Sequence, residues 1–306
     1  MVKIFVDLLE FLRSCAPLLF SLAVLTLFFV LCAKSIKKHA MVYYIVFALP
    51  FLLYLIPFTG RLLGLDVFSF SRFPVVGEII RDYVHMGALA HPILIIIMYV
   101  GALSPKTPAV KKLLSIRKEI SIILGFPILT HALVRVVNNF PSALKYFTNH
   151  AGYMENARVG SELGAGISSF SFVLGIVLLA LFIPLWVTSF DWVHKRMGGL
   201  KWKKFQRWSY LLYALLFVHA MGIQLGGMLN TRAMVPRAAV ETTAPTAPAQ
   251  GSQGGHGAAA KSIADIEVSR KAKQYIHITS LVLIYGSYLY LRVRKAKKRT
   301  IFVLKS

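Results

Sequence analysis

Five of the chain's nine histidines lie within runs of almost unbroken apolar sequence: His85, His91, His131, His219 and His277. An ionisable side chain left unpaired in hydrocarbon costs on the order of several kcal/mol, so each of these needs a partner. For a lone membrane histidine the common answer is a hydrogen bond to a neighbouring helix. Two at matched depth suggest more. His131 stands about 12 residues beyond the basic start of its run and His219 about 13 beyond its own, which is roughly 18 and 20 Å along a helix. Both runs follow clusters of lysine and arginine and point the same way, so the two imidazoles reach one level, a little past the membrane midplane. Bis-histidine ligation of a haem iron between two helices requires that arrangement. His39, His150, His194 and His256 fall between the apolar runs, where water solvates them.

Nearby residues add to this pair. Arg135 follows His131 by four positions, on the same helix face and one turn further out, where it can meet a haem propionate or simply reach the interface. Pro127, four residues before His131, removes a backbone donor and bends the helix at the site. Gly125, Gly222 and Gly226 leave flat surfaces for a ring or for another helix. His85 and His277 share a second, shallower depth and form a candidate second haem site. His91 can replace either of them or bond a carbonyl beside Pro92.

Helices must position these side chains. Of the 306 residues 57% are hydrophobic and only 15% charged, too apolar for one water-soluble core. The apolar residues gather near 16–33, 41–58, 84–103, 119–137, 166–190, 206–228 and 274–291, and most of these runs are long enough to cross a bilayer. The fold expected is an all-α integral membrane protein, a haem-binding bundle of about seven transmembrane helices. The formal charge of +23, from 35 Lys and Arg against 12 Asp and Glu, collects in alternate connections and in the tail. That pattern places those connections and the C-terminus on the cytoplasmic side of the plasma (inner) membrane, and makes the charge a matter of orientation and anionic lipid rather than nucleic acid. Cys15 and Cys32 make no disulfide framework and no covalent haem-attachment motif, so any haem is held non-covalently. Lys3 and Arg13 before the first run resemble a signal peptide, but the run is long, lacks a small-x-small cleavage site followed by polar sequence and leads into Lys34, Lys37 and Lys38, so it reads as a retained helix.

Four regions follow: two N-terminal helices over 1–58, a core over 59–228, an extracytoplasmic tether over 229–273, and a last helix with a basic tail over 274–306. The stretch from Ala244 to Ala260, rich in Ala, Pro, Gly and Gln, carries no packed core. The polar stretch from Lys261 to Lys273 can begin the last helix before the membrane.

The segment from Ser115 to His131, basic and then apolar, resembles the ferric-reductase-like transmembrane family. The stretches Trp186-Val-Thr-Ser and Arg196-Met-Gly-Gly-Leu-Lys-Trp-Lys-Lys-Phe-Gln-Arg-Trp-Ser-Tyr-Leu, running on to His219, resemble its bacterial branch, the haem-binding membrane subunits of periplasmic methionine sulfoxide reductase systems. The likeness covers about residues 60–228. It implies a b-type cytochrome with two histidines on each of two helices, stacking an inner and an outer haem. His131 and His219 match the outer pair. The inner positions fall at Arg117 or Lys118 and at Gln206, with no histidine at either.

Together these features point to a redox relay. A quinol or a flavin enzyme supplies electrons, haem b holds them one at a time, and a partner at the outer face accepts them, within a multi-subunit complex. No flavin or nicotinamide domain follows the last helix, so any flavin belongs to a partner. The rival is a non-redox transporter or scaffold. Its proton-coupled form has little support, because Glu78, Asp82, Glu119 and Asp191 sit at membrane edges or in loops.

Overall fold

The computed structural model describes residues 17–65, 87, 89–156, 160–230 and 263–303, with side chains of the last segment described over 272–297. Every element among them is helical. A chain this apolar has no water to satisfy its backbone in a bilayer, and the α-helix satisfies each amide within its own segment. In order the helices are α1 (Pro17–Lys38), α2 (Ala40–Leu62), α3 (Ala90–Ala102), α4 (Pro108–Ser115), α5 (Arg117–Asn138), α6 (Phe140–Thr148) and α7 (His150–Asn156). There follow α8 (Glu162–Val187), α9 (Asp191–Met197), α10 (Gly199–Phe205), a 3-10 turn at Gln206–Trp208, α11 (Ser209–Leu229) and α12 (Ile263–Val303).

Six of the described helical stretches are long and apolar enough to span a membrane, against the expected seven. They are α1, α2, α5, α8, the stretch Gly199–Leu229 that includes α11, and Ala272–Lys297 within α12. The third apolar run yields α3, whose 13 residues extend about 20 Å, short of a hydrocarbon core of about 30 Å. The first residues of that run, 84–86 and 88, lie outside the described residues. α3 is nonetheless the centre of the bundle. From Pro92 to Met98 every residue is buried, the pattern of a helix surrounded by others. It packs against α1, α5 and α12, and α5 in turn packs against α2 and α8.

The outer faces of these helices are apolar. Leu27, Leu31, Ile45, Ile56, Leu283 and Leu289 are each 60–68% exposed, side chains that a water-soluble protein would cover. They are the lipid-facing surface of a multi-pass membrane protein.

α8 and α11 form the tightest helix pair, and small residues allow it. A Cβ at Gly222 would lie 2.0 Å from the Ser171 hydroxyl, and one at Gly226 would lie 2.9 Å from the Gly164 carbonyl oxygen. Backbones this close can be packed only with glycine and serine at the seam. Asn230 closes the end of the pair, its side-chain oxygen accepting from the backbone N–H groups of Gly160 at 2.8 Å and Ser161 at 3.2 Å. Gly125 on α5 does similar work: the Trp186 indole of α8 lies across it and donates to the Ile122 carbonyl at 3.1 Å. The three glycines marked in the sequence thus admit helices and an indole.

The final helix begins by Ile263, in agreement with an early start before the membrane. The tether from 231 to 262 lies outside the described residues, as do Cys15, His85 and His256.

Candidate functional site

Each helix of the site enters from a different part of the chain. Four histidines converge: His91 on α3 lies within electrostatic range of His131 on α5, His219 on α11 and His277 on α12. Helix geometry explains why. α5 and α11 rise from the basic end of the bundle while α3 and α12 descend towards it; His91, His131 and His219 lie ten to fourteen residues from that end of their helices, about 15–21 Å, and His277 precedes Arg292 on α12 by fifteen.

His219 is held most explicitly. Its Nδ1 lies 2.7 Å from the Ser171 carbonyl oxygen on α8. A carbonyl only accepts, so Nδ1 carries the proton and Nε2 keeps its lone pair. Nε2 makes no hydrogen bond among the described residues. Gly175, one turn along α8 from Ser171, gives the ring its place: a Cβ there would sit 3.3 Å from Cε1. His131 has a comparable neighbour in Gly87, where a Cβ would come within 3.1 Å of Nδ1. Gly87 has a φ of +75°, a conformation that only glycine adopts without strain.

Arg135 stands one turn outward of His131, within electrostatic range of His219, and donates to Asn139 Oδ1 at 3.2 Å. α8 packs against both α5 and α11, whereas α5 and α11 are not among the closely packed pairs of the described residues. No cluster of three or more His, Cys, Asp or Glu forms a metal site among the described residues, and a bis-histidine haem needs only two.

The other candidates behave differently. His91 Nε2 is 3.0 Å from the Tyr285 hydroxyl of α12. It bonds a side chain across the bundle, not the carbonyl beside Pro92, and a ligand role would require releasing that bond. His277 is half-buried on α12, while its proposed partner His85 lies outside the described residues. Of the histidines expected in loops, His39 is exposed, His150 lies on α7 against Glu162 at 3.1 Å, and His194 lies on α9 with its ring 4.7 Å from Trp202.

The positions matched to an inner haem are occupied in other ways. Lys118 pairs with Asp191 at 2.9 Å and lies 3.6 Å from Glu119. Gln206 donates to the Leu185 carbonyl at 3.2 Å and to Thr188 Oγ1 at 2.9 Å, tying the end of α8 to the start of α11. Around them is a cavity of about 500 Å³ at the basic end of the bundle. Sequence reading missed this cavity, along with the roles of Ser171, Gly175, Gly87 and Tyr285. Ser171 acts through its backbone and leaves no signal in its side-chain type, and the glycines are identifiable only from what lies across from them.

The fold defines a class, a multi-pass all-helical membrane protein with a histidine cluster inside its bundle. No family model matches the chain, and no solved structure matches it. A protein of Treponema pallidum (strain Nichols), described as uncharacterised, is 30% identical over 115 residues, which is 38% of this chain and 28% of the relative. The chain therefore spans about a quarter of the relative that it matches.

Proposed function

We propose that this chain is a b-type cytochrome that carries electrons through the plasma (inner) membrane, with its basic connections and C-terminus cytoplasmic. The observation that carries this reading is the His219 ring: Nδ1–H fixed on the Ser171 carbonyl at 2.7 Å, Nε2 without a hydrogen bond among the described residues, and Arg135 within electrostatic range. An N–H donated to a backbone carbonyl fixes the tautomer and raises the basicity of the opposite nitrogen, which suits an axial ligand.

In this account His131 and His219 hold haem b from the two sides of a gap between α5 and α11. The haem supplies a one-electron reservoir. The residues of the chain set its surroundings: two neutral imidazoles as ligands, an apolar shell that excludes water, and Arg135 as counter-charge for a propionate. His277, with His85 or His91, remains the candidate for a second haem. The resemblance to the ferric-reductase-like transmembrane family supports the same chemistry. Electrons enter from a quinol or from the flavin of a partner enzyme and leave to an extracytoplasmic redox protein within a multi-subunit complex.

The relay is tested by reconstituting the haem-loaded full chain in liposomes and following its absorption after addition of a menaquinol analogue, or of NADH with a flavin reductase. Reduction by either donor, followed by reoxidation by a membrane-impermeant acceptor outside, is the expected result. Haem that no donor reduces would refute the relay, and reduction by the flavin reductase alone would remove quinol from it.

A further inference from the structure

The cavity at the basic end of the bundle lies between α3, α5, α8, α10, α11 and α12, and its wall has two characters. The floor is apolar, formed by Leu94, Ile97, Leu124, Phe182 and Leu212. The rim is cationic, with Arg117, Lys118, Lys203, Arg207 and Arg292. One carboxylate, Asp191, shares that rim, and it is paired with Lys118 at 2.9 Å. Among the described residues no carboxylate pairs with the other four cations.

Arg292 is the most constrained of them. It donates to the Gly101 carbonyl at 3.1 Å and to the Tyr210 hydroxyl, and its guanidinium carbon lies 4.6 Å from the centroid of the Tyr210 ring. Those partners are neutral, so its charge stays uncompensated. Arg117 lies beside the Tyr213 hydroxyl, another neutral group. Tyr210, Tyr213 and Tyr288 line the wall between rim and floor. Four unneutralised cations around one concavity repel each other, and a multivalent anion relieves that repulsion while accepting hydrogen bonds from guanidinium groups that fit phosphate oxygens. An apolar floor beneath them asks for a ligand that is not a bare ion. At about 500 Å³ the volume falls in the usual range for small-molecule sites.

We propose that this cavity binds a phosphate-bearing amphiphile, its phosphate at the arginine rim and its apolar or aromatic part on the floor below. A membrane phospholipid and a soluble aryl phosphate share that chemistry. The inference stands on the cavity alone and does not rest on the haem reading.

The test uses the purified full-length chain and two probes. In one arm the protein is held in phosphatidylcholine nanodiscs containing a minor fraction of phosphatidylglycerol, and retained lipid is identified by native mass spectrometry. In the other arm 4-nitrophenyl phosphate is titrated calorimetrically into the protein in a neutral detergent. Saturable binding in either arm is expected, and the arm that binds identifies the source. Arg117→Gln with Arg207→Gln should weaken it about tenfold. Arg117→Lys with Arg207→Lys should retain most of the binding, which separates lost charge from lost folding. Lys111→Gln with Lys112→Gln, on exposed α4 positions outside the cavity, should bind like the unmodified chain. Absence of saturable binding in both arms would overturn the proposal. So would equal losses in the cavity and α4 variants, which would show diffuse surface attraction.

Discussion

His219 and His91 are both imidazoles inside one helical bundle, yet their hydrogen bonds give them different capacities. His219 uses Nδ1 on a backbone carbonyl and leaves Nε2 without a hydrogen bond among the described residues, whereas His91 uses Nε2 on the Tyr285 hydroxyl. The first arrangement suits the proposed axial ligand; the second joins α3 to α12. Tyr285→Phe should therefore leave haem content unchanged and cost about 1 kcal/mol in stability, the usual worth of a hydrogen bond, as read by thermal melting in detergent. A loss of haem in that variant would mean that the His91–Tyr285 pair belongs to the cofactor site. Arg135, four residues from His131, was legible as a companion of the site from spacing alone, because helical periodicity fixes which residues share a face. Ser171 was not, since what it offers is a carbonyl oxygen that any residue carries. Gly87 and Gly175 were equally hidden, because their worth depends on an imidazole from a distant part of the chain.

At the scale of elements, apolar run length located six of the spans well, and it located α3 without its true bounds. A run of apolar residues does not distinguish a lipid-crossing helix from a short helix buried among others, and α3 is the latter among the described residues. The α8–α11 seam gives a direct test of how glycine spacing supports the site. Gly226→Val would drive a side chain into the Gly164 carbonyl and Ser168, so it should destabilise the protein by about 1–3 kcal/mol and lower haem retention by moving His219 away from Ser171. A variant that melts and retains haem like the unmodified chain would contradict the close seam. At the basic end, the Lys118 ammonium beside Asp191 holds that carboxyl below the usual carboxylate range. A carboxyl lowered in the folded state stabilises it above the unfolded value of about 3.8, and the contribution disappears as pH falls through the folded value. Because the Asp191 side chain is 60% exposed, the effect is small, about 0.5 kcal/mol or less. Asp191→Asn should thus melt slightly below the unmodified chain at neutral pH, and the two curves should converge in acid below that range.

For the whole molecule, charge and apolarity divide the labour. Side chains such as Leu31 and Leu283 face lipid on the flanks, while lysines and arginines collect at one end, around the cavity. In the proposed orientation, argued from the excess of cations there, that end faces the cytoplasm. Single cysteines introduced at Lys111 and Lys297 should then resist a membrane-impermeant thiol reagent in intact cells and react after permeabilisation, whereas one at Lys145 should react at once. The opposite pattern would invert the direction of the proposed relay. The central claim is that His131 and His219 together hold haem b. It is tested most directly by the dithionite-reduced minus oxidised absorption spectrum of the purified chain, with haem quantified per polypeptide, beside His131→Ala and His219→Ala. The account predicts a b-type difference band that collapses in both variants, with any residual haem assigned to a site at His277. A colourless, well-folded chain, or a band that survives both substitutions unchanged, would contradict it.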